Sequence, residues 1–152
     1  MIKEFYDRHK KHIKIACSLA FWAALLSFVF LCEIVLVAGE SMQPTYDNGD
    51  IVIVADKYYR VERNDVVIAE AHGDTVIKRI VGVAGDQVVS ERGRLYINGE
   101  KVAITTSTRF DSPITIPEGY FFLLGDNVDN SLDSRVYGLI SENDIKGRVL
   151  GQ

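Results

Sequence analysis

The sequence predicts a mainly β fold: a coiled, barrel-like β-sheet domain preceded by one N-terminal transmembrane helix. Three observations carry this. An uncharged run from Ile15 to Cys32 follows a basic start. Beyond residue 34 the apolar residues fall into short β-branched and aromatic stretches bounded by turn residues. The chain has 152 residues, enough for one domain with little room for a second.

Residues 1–14 carry Lys3, Arg8, Lys10, Lys11 and Lys14 against Glu4 and Asp7, a net +3 in a chain whose total is −4. The remainder is therefore acidic, which argues against a nucleic-acid surface. The 18 uncharged residues that follow include Phe21, Trp22, Leu25, Leu26, Phe28 and Phe30. At 1.5 Å per residue they reach about 27 Å, close to the hydrocarbon thickness of a bilayer. The positive flank predicts a cytoplasmic segment over 1–14, a span over 15–33 and an extracytoplasmic domain over 34–152, in a single-pass protein of the cell membrane. A removable signal peptide is the competing reading, but apolar cores there run only about 7–15 residues. A buried core helix would show a polar face, which the run lacks. Cys17 and Cys32 both lie in the apolar segment, about 22 Å apart along a helix and beyond reach of a bridge. Residues 34–152 contain no cysteine, which rules out disulfide or thiol chemistry there.

Strands are expected at 50–54, 65–69, 75–83, 87–89, 94–97, 119–124 and 147–150. Asp47-Asn48-Gly49, His72-Gly73-Asp74, Gly85-Asp86, Asn98-Gly99 and Pro117-Glu118-Gly119 punctuate them. Asn98-Gly99 is the strongest hairpin signal, since a type I′ turn needs positive φ at both central residues. Residues 101–118 have no clear period and read as an irregular loop.

Two residues depart from this pattern. Lys78 interrupts Val76-Ile77-Lys78-Arg79-Ile80-Val81, on the strand face it shares with Val76 and Ile80. Apolar neighbours favour the neutral amine, and a neutral amine is a base. The plain alternative is a lysine guarding an edge strand against aggregation. Ser41, in Gly39-Glu40-Ser41-Met42-Gln43-Pro44-Thr45, reads either as a turn residue or as a nucleophile. A Ser-His-Asp triad lacks its histidine: His9 and His12 precede the apolar run, and His72 sits in a turn. A Ser-Lys pair is the variant these residues permit.

The third unusual segment is Gly125-Asp126-Asn127-Val128-Asp129-Asn130-Ser131-Leu132-Asp133-Ser134-Arg135. Nested turns would account for its composition. As a calcium loop starting at Asn127 it fails, with Leu132 where glycine is required and Gly138 where the closing glutamate belongs. No metal site is expected. Following the apolar Tyr120-Phe121-Phe122-Leu123-Leu124, the segment is placed to deliver polar groups to the edge of a core.

Ser41-Met42-Gln43-Pro44-Thr45, Lys78-Arg79-Ile80-Val81-Gly82 and the Gly125 to Arg135 segment resemble, in order and spacing, the three signature boxes of bacterial type I signal peptidases. The resemblance covers roughly residues 30–150. It implies Ser41 as nucleophile, Lys78 as general base and Ser131 as a hydroxyl orienting the Lys78 amine. It further implies an Asp133–Arg135 ion pair, Asp126 and Arg79 as structural partners, and Met42 in the wall of the pocket for the small residue before the cut. The substrate is expected to bind as an extended strand beside the one bearing Ile77 and Lys78. Two positions depart from the family pattern. Val128 stands where arginine is frequent. Gly39 stands where some members carry a serine whose hydroxyl helps form the oxyanion hole, leaving the Ser41 N–H as the assignable donor. The implied partners are secreted preproteins with small residues before the cut, and the lipid bilayer; no cofactor is implied. A self-cleaving Ser-Lys repressor would carry DNA-binding helices in place of the apolar run. A non-catalytic membrane-tethered β module would not react with a serine-directed acylating probe.

Overall fold

Tight turns decide how the strands of this chain pair. The structure, a computed structural model, describes residues 2–56, 60–104 and 113–151. Helix α1 (Ile2–Leu31) is followed by β1 (Cys32–Leu36), β2 (Ile51–Asp56), β3 (Val66–Ala71), β4 (Asp74–Gly82), β5 (Gln87–Glu91), β6 (Arg94–Ile97) and β7 (Glu100–Ile104). Then come β8 (Ile114–Thr115), β9 (Tyr120–Leu124), the one-turn helix α2 (Ser134–Tyr137), β10 (Ile140–Ser141) and β11 (Ile145–Val149). Asn98 and Gly99 have φ of 52° and 83°, the positive pair a type I′ turn requires, and they fold β6 onto β7. His72 and Gly73, at 54° and 91°, do the same for β3 and β4.

The strands form two sheets. One has seven strands in the order β1-β2-β11-β3-β4-β9-β10, the other four in the order β7-β6-β5-β8. Strand β9 is buried on both faces, which is why its sequence is continuously apolar rather than alternating. Phe121 and Leu123 join one apolar cluster with Val67, Ala69, Ile80 and Ile145. Phe122 and Leu124 join another, with Val88, Leu95 and Ile97 from the smaller sheet and Ile116 just after β8. A third cluster gathers Val37, Met42, Val52, Val54, Val66, Ile68, Ile77 and Val149.

The segment read as an irregular loop over 101–118 is strand at both ends, β7 reaching Ile104 and β8 taking Ile114 and Thr115; residues 105–112 lie outside the described residues. A two-residue strand is too short to show a period. The helix expected through residue 33 ends at Leu31, and Cys32 and Glu33 belong to β1. Uniform apolarity hides that boundary. It emerges further on in the strand-like alternation of exposed Ile34 and Leu36 with less exposed Val35 and buried Val37.

The chain divides into two units, Met1–Glu33 and Ile34–Gln152. On α1, Leu19, Phe21, Trp22 and Leu26 are exposed. Among the described residues no helix is long and apolar enough to cross a membrane; the side chains at 25 and 27–31, within the apolar run, lie outside the described ones.

Candidate active site

Strand β4 carries the buried lysine. Lys78 stands opposite Val67 of β3 and is only 4% exposed. Its Nζ lies 2.7 Å from Ser41 Oγ and donates to the Ile77 carbonyl at 2.8 Å. Burial lowers the Lys78 pKa below the ordinary lysine value, while the negative charge of Asp133 works in the opposite direction. The amine is thereby pushed toward its neutral, proton-accepting form.

Ser41 belongs to the loop that joins β1 to β2. Val37 N–H donates to the Asp50 carbonyl and Gly49 N–H to the Val37 carbonyl, both at 2.8 Å, closing the loop at its base. Met42, 1% exposed, plugs the loop into the core beside Val37, Ile68 and Ile77. Gly39 has φ of +91° and donates its N–H to Asn48 Oδ1 at 2.9 Å, with open space where a Cβ would stand. The left-handed backbone, and not crowding, is what calls for glycine there.

The segment after β9 clasps this loop. Asn127 donates its backbone N–H to the Ser41 carbonyl at 2.9 Å and its side-chain amide to the Glu40 carbonyl at 3.0 Å. Asn130 Nδ2 reaches Glu40 Oε2 at 3.0 Å, and Thr45 Oγ1 donates to Asp126 Oδ2 at 2.5 Å. Asp126 also takes a two-pronged contact from Arg79, Nε to Oδ1 at 2.8 Å and Nη2 to Oδ2 at 2.6 Å. That pairing lowers the Asp126 pKa against the opposing effect of burial. Arg135 grips Asp133 in the same two-pronged way, at 2.8 and 2.9 Å, and donates to the carbonyls of Val128 and Ser131. Asp133 in turn accepts from Gly125 N–H at 3.1 Å and from Arg135 N–H at 3.2 Å. Gly125 itself lies so close to Ser131 and to the Ser41 carbonyl that a Cβ has no room.

The structure thus brings Ser41, Lys78, Ile77, Asp126, Arg79, Asp133 and Arg135 into one network, with two differences from expectation. Ser131 does not hydrogen-bond Lys78: its Oγ is buried without a partner, packed against Gly125, while the amine bonds Ser41 Oγ and the Ile77 carbonyl. Met42 is not among the groove-lining residues but lies against several of them in the core. That groove, about 290 Å³, runs beside Ser41 between Val35–Ala38 and Thr75–Lys78. Sequence reasoning included Thr45, Asn127 and Asn130 in the signature segments but assigned no role to them or to Glu40; for the two asparagines, the run of Asx side chains was the available signal. Among the described residues no group of metal-ligating side chains occurs.

The family model for signal peptidase, peptidase S26, matches residues 10–151. The chain belongs to the peptidase S26 family, the signal peptidases. It is 38% identical to signal peptidase I of Bacillus amyloliquefaciens, covering 82% of this chain and 75% of that one. It is 34% identical to mitochondrial inner membrane protease subunit 1 of Mus musculus, over 81% and 70% of the two chains. A crystal structure of a signal peptidase I from Enterococcus faecalis V583 is similar at a TM-score of 0.46 and 27% identity, covering 61% of this chain and 98% of that one. Membership makes this chain a type I signal peptidase, a serine endopeptidase. Its family acts on preproteins bearing signal peptides, and its relatives include membrane-associated enzymes.

Proposed function

We propose that Ser41 and Lys78 form the dyad with which this signal peptidase cleaves exported preproteins, from a catalytic domain tethered outside the cell membrane by the apolar segment 15–33. The observation that carries the reading is the 2.7 Å contact between Lys78 Nζ and Ser41 Oγ in a site that excludes water from the amine.

Neutral Lys78 takes the Ser41 hydroxyl proton as Oγ attacks the scissile carbonyl, and the Ser41 N–H faces the oxygen that gains charge. The Lys78 ammonium then protonates the departing amine of the mature protein. The signal peptide stays as an ester on Ser41 until Lys78 draws a proton from water and the resulting hydroxide frees it. Asp133 and Arg135 brace the segment facing the dyad, Arg79 and Asp126 hold it to β4, and Ser131 packs at its edge. Gly39 supplies no hydroxyl to the oxyanion.

The substrate adds as a strand along the groove. Strand β4 is paired with β3 along Asp74–Arg79 but with β9 only from Arg79 onward, so the backbone at Ile77 and Lys78 has a side to which an extended peptide can bond. Apolar walls at Val35, Val37, Val76 and Ile77 suit small side chains before the cut. Two features support the anchor: the basic residues before Ile15 and the exposed Leu19, Phe21, Trp22 and Leu26 on α1. The test is cleavage of a purified preprotein by the full chain, with mass measurement of the new N-terminus. A cut after a small residue at the end of the signal peptide supports the reading; an uncut preprotein, or a scatter of sites, overturns it.

A further inference from the structure

We infer that Asn127 is a positioning residue for the oxyanion hole, acting through the peptide group that joins Glu40 to Ser41. The inference rests on the dyad reading and extends it to a residue outside the dyad. Glu40 C=O and Ser41 N–H are the two ends of one planar peptide unit. Asn127 Nδ2 donates to the Glu40 oxygen at 3.0 Å, which fixes the rotation of that plane and therefore the direction of the Ser41 N–H. Its own backbone N–H holds the next carbonyl, that of Ser41, at 2.9 Å. Both carbonyls flanking the nucleophile are thus tied to one residue, 86 positions along the chain from Ser41.

This matters more here than where a serine hydroxyl assists. Gly39 brings no side-chain donor, so the Ser41 N–H carries the developing charge without that help. A hydrogen bond received at the carbonyl end polarises a peptide unit and strengthens its N–H as a donor, as in any chain of aligned hydrogen bonds. Asn130 adds an outer tie to the Glu40 side chain, and Gly39 N–H is held by Asn48, so the approach to Ser41 is fixed on both flanks. Asn127 does not itself line the groove, and its donors go to the Glu40 and Ser41 carbonyls and not to Lys78. Its removal is therefore expected to act on the transition state and to leave ground-state binding and the Lys78 titration alone.

The experiment uses the full chain in detergent with a preprotein substrate, together with two inhibitors of one peptide sequence. One ends in an aldehyde, which adds Ser41 Oγ and generates an oxyanion; the other ends in a carboxamide, which does not. Asn127→Ala keeps the backbone bond and loses the amide. It is expected to lower kcat about tenfold, less than the 10²–10³ of losing a donor outright, with KM unchanged. Aldehyde binding should weaken by the same factor while carboxamide binding and the kinetic pKa stay put. Asn127→Asp, isosteric but presenting an acceptor to the Glu40 carbonyl, should be at least as slow at neutral pH and supplies the same readouts if the alanine variant does not fold. A full-speed variant, equal losses for both inhibitors or a moved kinetic pKa each overturns the inference. Ser41→Ala in the same assay separates the two levels. If it is inactive while Asn127→Ala is not slowed, only the role of Asn127 fails; if Ser41→Ala is active, the dyad itself fails.

Discussion

The two sheets bury different chemistry. In the four-stranded sheet the buried positions Val88, Leu95, Ile97 and Ala103 are all apolar. The charged residue at its corner, Asp86, is held from several sides, by Arg63 at 2.6 and 2.8 Å, by Asn98 at 2.7 Å and by the Val83 N–H at 2.8 Å. The seven-stranded sheet and its loops bury Lys78, Asp133, Ser134 and Arg135, and leave Ser131 Oγ without a partner. Satisfied burial builds a platform. Burial that leaves a lysine amine against a serine hydroxyl builds a site, and the apolar clusters around it carry the cost.

The sharpest way to break this comparison is at the dyad. Ser41→Ala and Lys78→Ala should each remove processing to the assay floor, about 10³-fold or more, with the double variant no worse because the two groups act as a unit. Lys78→Arg should be equally inactive, since a guanidinium does not give up its proton in the working range. Circular dichroism should show the sheets intact throughout. A Lys78→Ala enzyme keeping a tenth of its rate would return the lysine to a structural role.

Next in size is a matched pair, one substitution from each sheet. Asp133→Ala strands a buried guanidinium and should cost about 3–5 kcal/mol in stability. Leu95→Ala, in the smaller sheet, should cost a comparable 2–5 kcal/mol by leaving a cavity. Urea titration measures both. Under conditions where both variants are fully folded, Leu95→Ala should retain kcat and Asp133→Ala should not. Equal retention would mean that the platform and the site are not distinct.

The pH dependence sharpens the contrast. The folded-state pKa of Lys78 is lowered by burial, so the rate should rise with pH through a value below the roughly 10.4 of free lysine. Stability carries the same sign. Between the lowered folded pKa and the ordinary unfolded one, the unfolded chain binds more protons, so the wild type gains stability relative to Lys78→Met as pH rises. Paired denaturation curves across that window measure it. A difference that stays flat would point to a solvated amine.

Gly39 is the smallest effect. At φ of +91° with nothing within 4 Å of a built Cβ, Gly39→Ala and Gly39→Ser face backbone strain but no clash. Each should lose about 1–3 kcal/mol. If the serine variant nevertheless turns over faster than the alanine variant, its hydroxyl reaches the oxyanion; matched rates would show that it does not.

The platform was the more legible of the two regions. Asn98-Gly99 announces its turn because few pairs tolerate two positive φ angles, and alternating or continuous apolar runs mark β4 and β9. Ser41 and Lys78 were legible for the opposite reason, each being out of place in its local pattern. Contacts that join distant segments were not. Thr45 with Asp126 and Asn127 with Glu40 are 81 and 87 positions apart, and an Asx residue in a turn looks the same whether or not it holds another loop. The expected bond from Ser131 to Lys78 illustrates the same limit: the order of residues does not say that Ser131 Oγ packs against Gly125 and goes without a hydrogen-bond partner.

Lys78 and Arg79 are adjacent, and successive side chains of a strand leave from opposite faces. One faces Ser41, the other Asp126. Sliding β4 by a single residue against β3 would put Arg79 in the place of Lys78 and Ile80 in the place of Arg79, presenting to the serine a cation that does not release its proton and leaving the carboxylate without its two-pronged partner. The register of the His72-Gly73 hairpin therefore decides which side chain meets Ser41, as well as how the strands pair. An insertion ahead of Lys78 that shifts the strand rather than bulging from it parts the amine from the hydroxyl at any length: odd lengths turn it to the opposite face, and even lengths keep the face but carry it at least two positions, about 7 Å, along the strand.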